Sequence, residues 1–387
     1  AISLHPTGTL TRCMMSEEIM SNEENMDWDS PDFQKLRKSM LEGKWDEPGC
    51  ANCKSKEDMG VKSQRQNWLK AKHKKKFNFD GDEAFANPKL TGNTLRHMFL
   101  NFNNVCNFKC RMCSPRYSNS LIPEWKAVSK EVEKVKFEPE LYKNVNNVLD
   151  FIKNNKHRLQ DLTSIWITGG EPFIDNQIWK AMDILNEYAD PSQIHMTITT
   201  NGSKTSIADI DKFRHFKQIH WDLSTDVVGP MFEYMRSNGV FTWDQMHNSI
   251  EDLSKYAKDN TDWLMVSLNS SYQLYNAASL NEFFTYTRDM NFDINNRILV
   301  GPNYFQARHA PDIIKAVANS EIEKLFESGW LDDIEEGMLR DAQRALNNPA
   351  VPAQWNTFVQ HCKAQDKFRG VNLMDYDPLL GKEVYEC

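Results

Sequence analysis

From residue 94 onward the chain alternates between two apolar patterns. Short runs, "LRHMFLNF", "TSIWIT", "QIHMTITT", "QIHWDLST", "DWLMVSLN" and "INNRILVG", take apolar and polar residues by turns and are rich in β-branched or aromatic types, which predicts strands. Between them apolar residues recur at helical spacing; in "NQIWKAMDILNEYA" they are Ile178, Met182, Ile184 and Leu185. Strand, helix, strand repeated about six times implies a parallel sheet, and right-handed crossovers roll such a sheet into a full or partial barrel. The fold class is therefore α/β, a partial (β/α)6 TIM-like barrel over residues 94–310. A doubly wound open sheet is the alternative, since periodicity does not report closure. Residues 311–387 read as a helical extension, apart from "RGVNLMDYDPLLG".

Residues 1–67 read as a small unit of their own. In "AISLHPTGTLTRC" Ile2 and Leu4 alternate with polar positions, the chain turns at Pro6-Thr7-Gly8 and resumes at Leu10, a β-hairpin that ends at Cys13. A short helix is predicted next, with Ser30 as N-cap, Pro31 in the first position, Phe33, Leu36, Met40 and Leu41 on one face and Gly43 at the end. "GCANC" then turns Cys50 and Cys53 toward a common point. Residues 68–93, charged at first and then rich in Gly, Asn and Asp, read as a linker.

The totals narrow the setting. The 387 residues are 40% apolar, enough for a sizeable core, and the net charge of −8 with scattered basic residues gives no nucleic-acid footprint. The run from Lys70 to Lys76 reads as a solvated face. No apolar stretch approaches the roughly 20 residues of a membrane span, and the first residues lack the regions of a signal peptide, so the protein is expected in the cytoplasm. In that reducing compartment clustered cysteines are metal ligands or reactive groups rather than disulfides.

The polar and glycine-bearing signatures fall after the predicted strands: "NNVCNFKC", "GGEPF", "TNGS" and "STD". In barrels of this kind the chemistry gathers at the carboxyl ends of the strands. Cys106, Cys110 and Cys113 form C-x3-C-x2-C. A cubane iron–sulfur cluster held wholly by protein takes four thiolates, so three from one loop leave one iron open to a ligand. Structural zinc is the alternative, but paired zinc knuckles lie about 15–20 residues apart, and Cys53 and Cys106 are 53 apart.

"CNFKCRMC" followed by "ITGGEPF" closely resembles the radical S-adenosylmethionine superfamily. The resemblance implies a [4Fe–4S] cluster on Cys106, Cys110 and Cys113 whose fourth iron chelates S-adenosylmethionine, and reductive cleavage to a 5′-deoxyadenosyl radical that abstracts hydrogen from a substrate. By the same resemblance Glu171 accepts the ammonium of the methionine moiety, Gly169 and Gly170 allow close backbone approach, and Pro172 stiffens the exit. Thr200 and Asn201 fall near the ribose or the methionyl end. "WDLSTDVVGPMFEYMRSNGVF" supplies Ser224, Asp226 and Arg236; helix capping for the first two and a surface salt bridge for Arg236 are the plainer alternatives. Met112 departs from the pattern, standing where an aromatic residue usually packs on adenine; its polarisable side chain can fill that place.

Cys13, Cys50 and Cys53 resemble the auxiliary-cluster modules called twitch or SPASM domains, in the subgroup where the module precedes the barrel. A closed second cluster needs one more ligand. Relatives commonly carry a cysteine just before the hairpin, so the resemblance implies that this ligand lies upstream of Ala1; Cys362, a non-cysteine ligand or an open iron are the alternatives, and structural zinc is the alternative to a cluster. Relatives with such modules act on peptides, sugars or aminoglycosides. The expected substrate is a peptide or protein side chain, with a sugar, nucleoside or other small molecule next, and a non-catalytic iron–sulfur or zinc scaffold last. Intact cluster and ammonium ligands argue against the scaffold. The resemblance also implies a low-potential electron donor such as flavodoxin or ferredoxin. Cys362 is a candidate hydrogen-atom donor, though an ordinary buried thiol is the plainer reading.

Overall fold

A computed structural model describes residues 2–4, 10–11, 19–21, 31, 34–35, 38–39, 42, 44, 50–63, 66, 95–144 and 148–386. Its strands are β1 (Ile2–Leu4), β2 (Leu10–Thr11), β3 (Ile19–Ser21), β4 (His97–Asn101), β5 (Ser164–Thr168), β6 (His195–Thr200), β7 (Gln218–Ser224), β8 (Leu264–Tyr272) and β9 (Asp293–Ile298). Among the described residues they form one sheet in the order β3-β2-β1-β4-β5-β6-β7-β8-β9. The six strands from β4 to β9 are parallel and do not close on themselves, so the expected partial barrel is what the chain adopts.

All six predicted strands are present. β8 runs on to Tyr272 because Ser271 and Tyr272 keep pairing with Arg297 and Ile298, a continuation that two serines do not signal in a sequence. The arms of the N-terminal hairpin pair as expected, Leu4 opposite Leu10. The hairpin also shares the barrel's sheet: β1 runs parallel to β4, with Leu4 opposite Leu100. The hairpin turn, Cys13, Cys387, most of the helix expected from Ser30 to Gly43 and the linker lie outside the described residues.

The alternation that marks the strands separates two faces. Met98, Leu100, Ile165, Ile167, Met196, Ile198, Ile219, Trp221 and Leu223 are all buried on the helix-covered face. The helices are α1 (Ala51–Asp58), α2 (Ile122–Glu131), α3 (Val148–Asn154), α4 (Gln177–Tyr188), α5 (Ile207–Asp211), α6 (Trp243–Lys258), α7 (Leu280–Asp289), α8 (Asp312–Glu327), α9 (Asp333–Asn347), α10 (Pro352–Arg369) and α11 (Pro378–Tyr385). In α4 the expected Ile178, Met182, Ile184 and Leu185 are buried. Parallel sheets covered on both faces read as continuous apolar runs; here the other face carries Trp166, Thr199, Asp222, Ser267 and Asn295, so it is built to meet something polar.

"RGVNLMDYDPLLG" is more helical than expected. It holds a 3-10 turn at Leu373–Asp375 and the start of α11, where Asp377 caps Leu379 and Leu380 and Pro378 takes the first position. Among the described residues no helix is long and apolar enough to cross a membrane.

Candidate functional site

β4 ends at Asn101 and leads directly into the cysteine loop. The "GGEP" turn after β5 lies against that loop backbone to backbone: Gly170 N donates to Asn103 O (2.9 Å) and Glu171 N to Val105 O (2.8 Å). A Cβ on Gly169, at φ +129°, would come within 2.1 Å of Asn101 Oδ1, and one on Gly170 within 2.1 Å of Val105 O. The close approach observed for these glycines is therefore to the cysteine loop.

Glu171 is buried, with Pro172 buried after it. Its Oε1 accepts from Thr200 Oγ1 (2.7 Å) and Phe173 N (3.3 Å), and its Oε2 from Asn201 N (2.8 Å). Burial pushes this carboxyl up from 4.5 to about 6, while the bonds from Asn201, Thr200 and Phe173 pull it down. Asn201 Nδ2 donates to Asn107 Oδ1 (3.0 Å) and lies 3.9 Å from Cys106 Sγ. Asn201 thus stands between Glu171 and the first cysteine, while Thr200 holds Glu171 from its other oxygen.

Asp226 and Arg236 form a buried ion pair, which sets aside both the surface-bridge and the capping alternatives for them. Asp226 adopts a left-handed backbone (φ 66°), its Oδ1 accepts from Ser271 N (2.6 Å), and Arg236 comes from a single π-helical turn, Glu233–Ser237. Burial works against the charge of Arg236, but Cys110, Asp226 and Cys106 hold it protonated. Ser224 ends β7 in register with Asn269, and Met112 packs half-buried against the core.

The three loop thiols are half-buried and unbonded to one another. Burial first, then the neighbouring Cys110, pushes Cys106 up to about 12; Cys110 and Cys113 are raised as well, Cys113 again by burial and then by the other two cysteines. Among the described residues no three Cys, His, Asp or Glu side chains converge on a single-ion site. Three thiols from one short loop, with the charge of Arg236 felt at Cys106 and Cys110, are a donor set that fits an iron–sulfur cluster.

Residues 100–277, which contain all of these groups, match the family model described as Radical SAM superfamily. The chain carries a Radical SAM domain. No curated protein matches the chain. Among solved structures it is similar to polyhistidine-tagged anSMEcpe with bound AdoMet, at 17% identity over 60% of this chain and 59% of that one (TM-score 0.42). It is also similar to SuiB of Streptococcus suis, bound to the precursor peptide SuiA (13% identity, 76% of this chain and 59% of that one, TM-score 0.39) and alone (15%, 85% and 68%, TM-score 0.38). The chain spans about three fifths of the length of anSMEcpe, and overlaps of this quality identify no substrate.

Outside the Radical SAM domain, α10 lies behind the cysteine loop, an arrangement without a spacing signal. Arg111, fully buried, pairs with Asp366 (2.5 Å), donates from Nε to Tyr234 O (2.9 Å) and lies 3.5 Å over the Tyr234 ring. Cys362 on the same helix is sealed at 0% exposure, 3.4 Å from the Tyr234 hydroxyl. A visible hint exists in retrospect: Phe358, His361, Cys362, Gln365 and Asp366 share one helical stripe and all are buried, although three of the five are polar.

Cys50 and Cys53 sit at the start of α1, half-exposed. Burial and then the charge of Arg297 lower the pKa of Lys56 on α1, while Cys53 and Asp341 raise it. Arg297 itself belongs to the polar inner face. There Trp166 Nε1 donates to Thr199 Oγ1 (2.9 Å), Asp222 accepts from Thr199 (3.0 Å), Ser267 (2.7 Å) and Asn295 (2.9 Å), and Arg297 lies 4.6 Å over Trp166.

Proposed function

We propose that this protein is a radical S-adenosylmethionine enzyme of the twitch subgroup, which cleaves its cofactor reductively and takes a hydrogen atom from a peptide or protein side chain. The observation that carries the reading is the Radical SAM match over residues 100–277, which encloses all three loop cysteines and Glu171. Cys106, Cys110 and Cys113 would hold a [4Fe–4S] cluster, which when bound supplies the electron that breaks the carbon–sulfur bond of the sulfonium. Glu171, its orientation fixed by Thr200 and Asn201, would accept the ammonium of the methionine moiety, with Gly169, Gly170 and Pro172 shaping its turn. Arg236, held by Asp226, offsets the charge that three thiolates bring, Ser224 lines the rim, and Met112 would lie against adenine.

Cys13, Cys50 and Cys53 are assigned to an auxiliary iron–sulfur cluster; the sealed position of Cys362 favours neither its use as a further ligand nor its use as a hydrogen donor. The polar inner face supports a substrate rich in hydrogen-bonding groups, as a peptide main chain is. The electron donor is assigned to the flavodoxin or ferredoxin class. Anaerobically reconstituted protein, given S-adenosylmethionine and reductant, should form 5′-deoxyadenosine at a rate that Cys110→Ala abolishes. Equal rates in the two overturn the reading. Deuterium passing into that product from labelled peptides supports the peptide assignment, and deuterium passing only from sugars or nucleosides overturns it.

A further inference from the structure

We infer that α10, which lies outside the Radical SAM domain, belongs to the cluster-binding device, with Arg369 and Gln365 as positioning residues for Cys110. The inference rests on the reading that the loop cysteines hold the cluster. Around Cys110 the backbone groups have fixed partners: Lys109 O accepts from Arg369 Nη2 (2.6 Å), Cys110 O from Cys113 N (3.0 Å) and Arg111 O from Gln365 Nε2 (3.4 Å), while Arg111 N donates to Met235 O (2.8 Å). The two α10 side chains are themselves held. Arg369 donates twice to Glu124 (2.8 and 3.0 Å), and Gln365 donates to Glu124 Oε1 (2.8 Å).

Arg369 and Glu124 side chains are each 1% exposed and Gln365 is fully buried. A stripe that needed only to fill space would be apolar, because a buried ion pair is often no more stabilising than hydrophobic residues of the same volume. What the polar residues add is direction. They fix the carbonyls on both sides of Cys110, and with them the line along which its sulfur points.

The test uses the full chain, metal-free and then reconstituted. Alkylation by iodoacetamide, read cysteine by cysteine by mass spectrometry, reports the loop; Cys362, buried on the same helix, reports whether α10 stays docked. Arg369→Met should label at Cys110 at least tenfold faster than wild type, with Cys362 unchanged. Its reconstituted form should keep its iron, yet the electron paramagnetic resonance signal of the reduced cluster should no longer respond to S-adenosylmethionine. Arg369→Lys, which keeps the charge but not the fork, should be intermediate, and Lys367→Ala, which removes an exposed pair on the same helix, should match wild type. Should Arg369→Met not fold, Glu124→Leu with Arg369→Met removes both charges, keeps the melting temperature and should still free Cys110. An unchanged Cys110 rate, or Cys110 and Cys362 accelerating together, overturns the inference; a wild-type chain that takes up no four-iron cluster overturns instead the reading beneath it.

Discussion

Cys110 and Cys53 each have a second cysteine three residues away, yet their surroundings differ in kind. Residues 109–111 are tied to Met235, Gln365 and Arg369, which lie more than a hundred positions off in the chain. α1, which carries Cys53, is eight residues long and buries none of them; what ties it to the rest includes Val61 in the core, Arg344 Nη1 on Gly60 O (2.7 Å) and Asn348 Nδ2 on Met59 O (3.5 Å). An isolated helix of that length is not stable in water. The loop's geometry is stored in the fold before any metal arrives, whereas at α1 a metal centre would itself supply much of the folding energy.

The strongest way to break this contrast is to remove one thiol from each site. Cys110→Ala should lose the four-iron cluster and all 5′-deoxyadenosine formation, with the metal-free fold intact by circular dichroism. Cys53→Ala should keep reductive cleavage and lose only the iron of the second site. If Cys53→Ala stopped cleavage as completely, the two sites would be one unit.

Next in size is the ion pair under the loop. Asp366→Asn leaves the Arg111 guanidinium buried without its counter-charge, and Asp366 also accepts from Tyr234 (2.9 Å), Tyr385 (2.6 Å) and Leu373 N (2.9 Å). Breaking such a pair costs about 3–5 kcal/mol, to be read from denaturant unfolding of the metal-free chain. Its counterpart on α1, Lys54→Ala, removes an exposed Lys54–Asp58 bridge and should change stability by no more than about 0.5 kcal/mol.

Glu171 gives a smaller, pH-dependent effect. Its folded pKa of about 6 exceeds the ordinary 4.5, so the native state keeps its proton longer than the unfolded chain does. Its favourable share of stability is present below pH 4.5 and is lost as pH rises through about 6, a swing of about 2 kcal/mol. Glu171→Gln should flatten that swing in metal-free unfolding curves taken between pH 4.5 and 7. In the loaded enzyme the sign turns over for the ligand: an ammonium needs the ionised carboxylate, so S-adenosylmethionine should bind more weakly below pH 6 by calorimetry, and a flat profile would remove Glu171 from that role.

The parts of the molecule legible in the sequence are those written locally. Each strand of the barrel carries its own period-two pattern, because one face meets helices and the other does not, and the cysteine loop is a single short segment. Partnerships across the chain leave no such trace. Nothing near Arg111 announces Asp366, 255 positions later, and α10 reads as an ordinary helix until its polar stripe is seen to be buried. Thr200 and Asn201 were legible only through the family resemblance, and that they bond to Glu171 follows from the neighbouring ends of β5 and β6. Gly169 and Gly170 were legible as points of close approach, while the approaching groups, the Asn101 side chain and the backbone of Asn103 and Val105, depend on how two loops meet.

The smallest expected effect is the one that sharpens the contrast most finely. Arg344, half-exposed on α9, bonds both Gly60 O and Asp341 (3.1 Å). Removing it with Arg344→Ala forfeits the bond to Gly60 O and the exposed pair with Asp341, both in contact with water and together worth about 0.5–1 kcal/mol. If α1 is a lightly held appendage, that loss stays local: the melting temperature is unchanged, while amides of residues 60–62 exchange about two- to fivefold faster in the metal-free chain. Loading the second site with iron should erase the difference, because the metal then holds what Arg344 held. A global loss of stability from so exposed a residue would mean that α1 is as deeply built into the fold as the cysteine loop, and that both metal sites are prepared in advance by the chain itself.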